Sequence, residues 1–175
     1  MKKNIVLFTL GGTIAYTGQS QSLTGQDLLK SISGLNPNIN ISVIPFLQKA
    51  SSSLTIQDII SLAKEIKQTI ETQQVDGVVV TQGTDTIEES AFILDMLLPR
   101  AIPIVVTGAM RHPMQAGAEG PANLLAAIHV AVSEEASGIG TVVVLNDEIH
   151  SPLFVRKAHT QNVAAFRSEV IRESL

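Results

Sequence analysis

The chain has no cysteine among its 175 residues, which removes disulfides, thiolate catalysis and cysteine-ligated metals from consideration. Charge is also scarce: 16% of residues are Asp, Glu, Lys or Arg and the formal net charge is −4, so no basic patch is offered to nucleic acid. No run approaches the ~18 apolar residues that a membrane span needs. Met1-Lys2-Lys3 has the start of a signal peptide, but the apolar stretch behind it is short and is broken by Gly11-Gly12. It reads as a first strand, and a cytoplasmic location is expected. There is no G-x-G-x-x-G after that strand, which argues against a dinucleotide site. His112, His129, His150 and His159 lack metal-ligand spacing, so neither metal nor cofactor is expected.

What is present is apolar and periodic. Hydrophobic residues make up 45% of the chain, enough for one well-packed domain. Strand-like runs occupy residues 4–10, 41–45, 76–81, 102–107 and 140–146, with consecutive valines and isoleucines typical of strands covered on both faces. Helical patterns lie between them. Thr24 opens one to about Ile32, and Thr55 caps a longer one with Ile56, Ile59, Ile60, Ala63, Ile66 and Ile70 on one face. Thr86-Ile87-Glu88-Glu89 fits a capping box for a third, with Phe92, Ile93, Met96 and Leu97 inward. Pro121 suits the first turn of a fourth, which runs to about Val132. Alternating strand and helix predict an α/β fold with right-handed crossovers around one doubly covered sheet. Residues 147–175 are less regular, with a short extended segment near Leu153–Lys157.

Two glycine–threonine loops follow strand-like runs: Thr9-Leu10-Gly11-Gly12-Thr13-Ile14-Ala15 and Thr81-Gln82-Gly83-Thr84-Asp85-Thr86. At the carboxyl edge of a parallel sheet such loops form binding sites. Threonine hydroxyls beside an aspartate suggest a hydroxyl nucleophile, while glycine allows close approach of a ligand. Each loop alone would be read as a turn or a helix start.

Together the loops resemble the T-G-G-T-I-A and H-G-T-D-T-M-E-E signatures of bacterial-type L-asparaginases. Gly108-Ala109-Met110-Arg111 with Glu119-Gly120-Pro121-Ala122-Asn123-Leu124 resembles the family's G-A-M-R … D-G-P-x-N-L segment. Val142-Val143-Val144-Leu145-Asn146-Asp147 and Lys157-Ala158-His159-Thr160, with Phe166, extend the likeness across residues 5–166. The resemblance implies a three-layer Rossmann-like domain with a mostly parallel sheet, the N-terminal domain of the asparaginase fold. It implies hydrolysis of L-asparagine by a homo-oligomeric enzyme, with Thr13 as nucleophile and Thr84, Asp85 and Lys157 as a second catalytic group. Which threonine attacks first stays open. Asp85 would also pair with the substrate's ammonium, and Ser51 and Ser52 would donate to its carboxylate, with Gly83 and Ala109 completing the substrate set.

Departures accompany the likeness. Ser53 stands where the family has an acidic residue, Leu23 where it has a lid tyrosine (Tyr16 is nearby), and Glu119 replaces an aspartate. Glu88-Glu89 reads as a helix start favoured by the helix dipole, rather than an acid–base pair. Relatives carry a second, smaller domain, so residues 1–175 are expected to be the catalytic-residue domain without it, with impaired turnover. Two rival readings are a non-catalytic amino-acid-binding remnant and an asparaginase-like subunit of a tRNA-dependent amidotransferase.

Overall fold

The computed structural model describes residues 2–17 and 22–168, and the apolar runs become one six-stranded sheet. Its strands are β1 (Lys3–Thr9), β2 (Ile39–Pro45), β3 (Gly77–Thr81), β4 (Ile104–Thr107), β5 (Thr141–Leu145) and β6 (Glu148–His150), in the order β2-β1-β3-β4-β5-β6. The first five are parallel and β6 runs antiparallel to β5. A separate antiparallel ribbon joins β7 (Val155–Lys157) to β8 (Phe166–Ser168). The helices are α1 (Gly25–Lys30), α2 (Ile56–Thr72), α3 (Ile87–Leu97) and α4 (Gly120–Val132).

Alternation along the strands builds two cores. Val6, Phe8, Val78, Val80 and Val106 pack against α2 and α3, while Ile5, Leu7, Val79, Val105 and Val142 pack against α1 and α4. Every residue of β3, β4 and β5 is buried, as strands between two helical layers must be. The α/β three-layer arrangement is as the sequence implied. No helix among the described residues is long and apolar enough to cross a membrane.

The expectation of uniformly right-handed crossovers fails at one connection. Stepping from β3 to β4 and from β4 to β5 moves the same way along the sheet, yet α3 and α4 lie on opposite faces. These two crossovers therefore have opposite hands. The β1–β2 and β2–β3 connections agree with the β3–β4 one, so the β4–α4–β5 crossover is the left-handed exception to a strong rule. The rule arises where a twisted strand feeds a nearby helix; here residues 108–119 intervene and release α4 from that constraint.

Local signals also divided. Thr24 and Thr55 close full capping boxes with Asp27 and Asp58. Thr86 makes no cap bond. Its hydroxyl donates to the Ser51 carbonyl at 3.2 Å, and α3 instead continues from a 3-10 turn over Thr84–Thr86. The inward face of α3 is Ile87, Ser90, Ala91 and Leu94, with Ile93 packed alongside, whereas Phe92, Met96 and Leu97 are exposed. The helix is apolar on both sides, so periodicity left its phase undetermined. On α2, Ile56 is likewise exposed and Leu62 takes a fully buried place.

Candidate active site

The strand order reverses direction at β1, since α1 leads to one side of it and α2 returns across to β3 on the other. Such a switch point opens a crevice beyond the strand ends, and the two glycine–threonine loops occupy it. Gly12 lies at φ +84°, and a Cβ placed there would fall 2.1 Å from the Gly83 backbone nitrogen. Only glycine lets the two loops touch. Gly83 in turn packs on Ser51, whose hydroxyl accepts the Asp85 N–H at 3.1 Å. The Ser51–Ser53 segment is a 3-10 turn.

A cavity of about 390 Å³ lies against these loops, lined by Gly12, Thr13, Ser51, Gly83 and Asp85, with Tyr16 and Lys49 on its wall. Behind it, Lys157 Nζ donates to Thr84 Oγ1 at 2.8 Å and to Asp85 Oδ1 at 2.6 Å. Thr84 is buried and the Lys157 side chain is 14% exposed, while Asp85 is open to solvent. The structure thus forms two groups. Thr13, Ser51, Gly83 and Asp85 share the cavity; Thr84, Asp85 and Lys157 are hydrogen-bonded together; Asp85 belongs to both. Ser52 is exposed and Ala109 fully buried, and neither is among the residues lining the cavity.

Other residues arrange the loops. The buried Asn123 side chain donates to the Gly108 carbonyl at 3.0 Å and accepts the Asn146 N–H at 2.9 Å, tying the ends of β4 and β5 to α4. The Glu119 carboxylate accepts the Met110 and Arg111 N–H groups, so the loop after β4 wraps an acidic side chain. Sequence patterning passes over Asn123 because it sits within an apolar helical run. Glu88, read from sequence as a helix start, accepts the Lys157 backbone N–H and the Arg156 guanidinium.

Lys49 brings a charge to the cavity wall, with its ammonium 3.0 and 2.9 Å from the two Asp58 oxygens. That bond first, and the Thr55 N–H second, hold the Asp58 carboxyl down to about 2 from an ordinary 3.8. A depressed carboxyl contributes stability that is complete above its ordinary value and is lost as pH falls through the folded one. We therefore expect Asp58→Asn to lower the Tm at neutral pH, with the difference from wild type shrinking between about pH 4 and about pH 2. Melts across that interval check this; a difference independent of pH would contradict it.

The family model for the N-terminal domain of asparaginases matches residues 4–173. The glutaminase-asparaginase of Acinetobacter glutaminasificans is 37% identical, over 96% of this chain and 54% of its own length. The L-asparaginase of Bacillus licheniformis is 36% identical, over 95% and 53%. The crystal structure of a probable cytoplasmic L-asparaginase from Campylobacter jejuni superposes with a TM-score of 0.89 at 35% identity, covering 95% of this chain and 52% of that one. The chain spans about half the length of the curated relatives it matches.

Proposed function

The chain belongs to the asparaginase family, matching its N-terminal domain, and on that premise we propose that it serves hydrolysis of the L-asparagine side-chain amide to L-aspartate and ammonia. The observation that carries this reading is Asp85, common to the open cavity and to the Thr84–Lys157 pair. A threonine hydroxyl is a weak nucleophile until a base takes its proton, and a lysine amine in contact with a threonine supplies one.

In the proposed reaction the Thr13 oxygen attacks the amide carbon and its proton passes to a base. The C–N bond breaks, and the nitrogen leaves as ammonia with that proton. Water then cleaves the threonine ester, releasing aspartate and restoring the hydroxyl. Backbone N–H groups in the glycine-flanked loops favour the oxyanion that forms in each half. In the proposed path Lys157 is the base, and Thr84, hydrogen-bonded to its Nζ, relays the proton of the attacking group. Asp85, exposed to the cavity, pairs with the substrate's α-ammonium, and Ser51 and its neighbour Ser52 face the α-carboxylate. Gly83 and Ala109 contribute backbone to the substrate set. A second reading, attack by Thr84 itself, is favoured by one observation: its hydroxyl already touches an amine.

We read residues 1–175 as an asparaginase N-terminal domain, working in the cytoplasm with no metal, cofactor or nucleic acid. Ile56, Phe92 and Leu153 border an apolar groove beside α3, and a homo-oligomer formed through such surface is part of the proposal. The test is one sample of the purified chain. Asparagine is expected to shift the amide resonances of Thr13, Gly83 and Asp85, and ammonia to appear well below the ~10 per second common among enzymes. Sedimentation is expected to show self-association. Binding without any ammonia would identify an amino-acid-binding remnant, and no binding would end the proposal.

A further inference from the structure

We infer that Glu88 is the positioning residue of Lys157, an inference that rests on the function proposed above. Lys157 lies on β7, three residues long, in a ribbon that among the described residues shares no ladder with the six-stranded sheet. The ribbon is attached to the body by Val155, Ala165 and Phe166, all buried in the core under α3, by the Val155 N–H donating to the Ser151 carbonyl at 3.0 Å, and by His150 Nδ1 against Ser168 Oγ at 2.9 Å. The apolar contacts are non-directional, and the two hydrogen bonds both act at the Val155–Ser168 end of the ribbon, away from Lys157. Glu88 supplies the direction. One carboxylate oxygen accepts the Lys157 backbone N–H, and the other accepts the Arg156 guanidinium at 3.1 Å.

Glu88 lies four positions after Thr84. The segment is continuous 3-10 turn and helix, so it grips Lys157 at two points: Thr84 and Asp85 hold the ammonium, and Glu88 holds the backbone. A carboxylate that merely favoured the helix dipole would need no such partners, and the exposed Glu89 beside it meets that requirement. Of the two bonds, the one to the backbone does the positioning. Arg156 is 76% exposed, so its ion pair is weak, while a carboxylate on an N–H is charge-assisted and directional.

Competitive acetylation of the 175-residue chain, read by mass spectrometry, tests this without requiring turnover. Lys30, 77% exposed, is the internal reference for the 14%-exposed Lys157. Glu88→Ala is expected to raise Lys157 labelling relative to Lys30 by about tenfold as the strand end is freed. Glu88→Gln, which keeps an acceptor for the N–H, and Arg156→Gln are expected to stay near wild type. Should Glu88→Ala fail to fold, Glu88→Asp, one methylene short, carries the test with a smaller rise. In ammonia release, Glu88→Ala is expected to lower kcat by about 10²-fold with KM little changed. An unchanged Lys157 ratio in the folded Ala or Asp variant would overturn the inference, as would raised labelling with kcat unaltered. A wild-type chain without ammonia release would instead remove the proposed function, leaving the labelling to judge the grip itself.

Discussion

Thr84→Val is expected to lower ammonia release by about 10³-fold, the range that loss of a proton-transferring group produces. It is expected to change folding stability by no more than about 1 kcal/mol. The substitution exchanges a hydroxyl for a methyl on the same β-branched frame. The Thr84 methyl already packs where a Cβ on Gly108 would lie, 3.3 Å away, and valine retains it. Lys157 loses the acceptor at 2.8 Å and keeps Asp85 at 2.6 Å, so its ammonium is not left bare. The measurement is kcat beside a thermal melt. Near wild-type turnover would reduce Thr84 to a loop residue. Combining the change with Thr13→Val separates the two threonines further. If they act in one proton path, the double variant falls little below the worse single one, since members of a catalytic unit are strongly non-additive.

How much of this was legible in the sequence depends on scale. β3, β4 and β5 were readable because burial on both faces demands uninterrupted apolar residues such as Val78-Val79-Val80. β6 and β8, three residues each, are too short to carry a period. The hand of the β4–α4–β5 crossover depends on which face of the sheet receives α4. That helix is apolar nearly all round, with Leu124, Ala127 and Ile128 buried and Ala126 and Val130 half-buried, so no stripe pointed either way. In the site, the glycine–threonine loops could be found from local pattern. Lys157, more than 70 residues away from its partners, could be found only through the family resemblance, because nothing local distinguishes it from a surface lysine. Thr86 and Glu88 do stand at the start of α3 as read, but the Thr86 cap bond is not made, and the partners of both, Ser51 and the Arg156–Lys157 strand, are distant in sequence and left no local signal.

The largest effect on the fold is expected from a single methyl group. Gly12→Ala places a Cβ 2.1 Å from the Gly83 nitrogen, 2.3 Å from the Gly83 Cα and 2.7 Å from the Gln82 carbonyl carbon. All three are backbone atoms, so no side-chain rotation relieves the overlap; the loops after β1 and β3 must separate. The residue also sits at φ +84° and ψ −176°, a region essentially reserved for glycine, where an L side chain is strained by about 1–3 kcal/mol before any neighbour is met. Gly34→Ala is the control for positive φ without a clash. Its φ is +81°, but nothing lies within 4 Å of the added atom, so it reports backbone strain alone. We expect Gly34→Ala to destabilise by about 1 kcal/mol and Gly12→Ala by at least about 3 kcal/mol, in the range of severe single substitutions. At roughly 2–4 °C of Tm per kcal/mol in a chain of this size, the two melts should lie several degrees apart. Equal losses would mean that the loops separate without penalty. In that case the contact between Gly12 and Gly83 would not be what holds the cavity walls together, and asparagine would still shift the Thr13 and Asp85 amides of the Gly12→Ala chain.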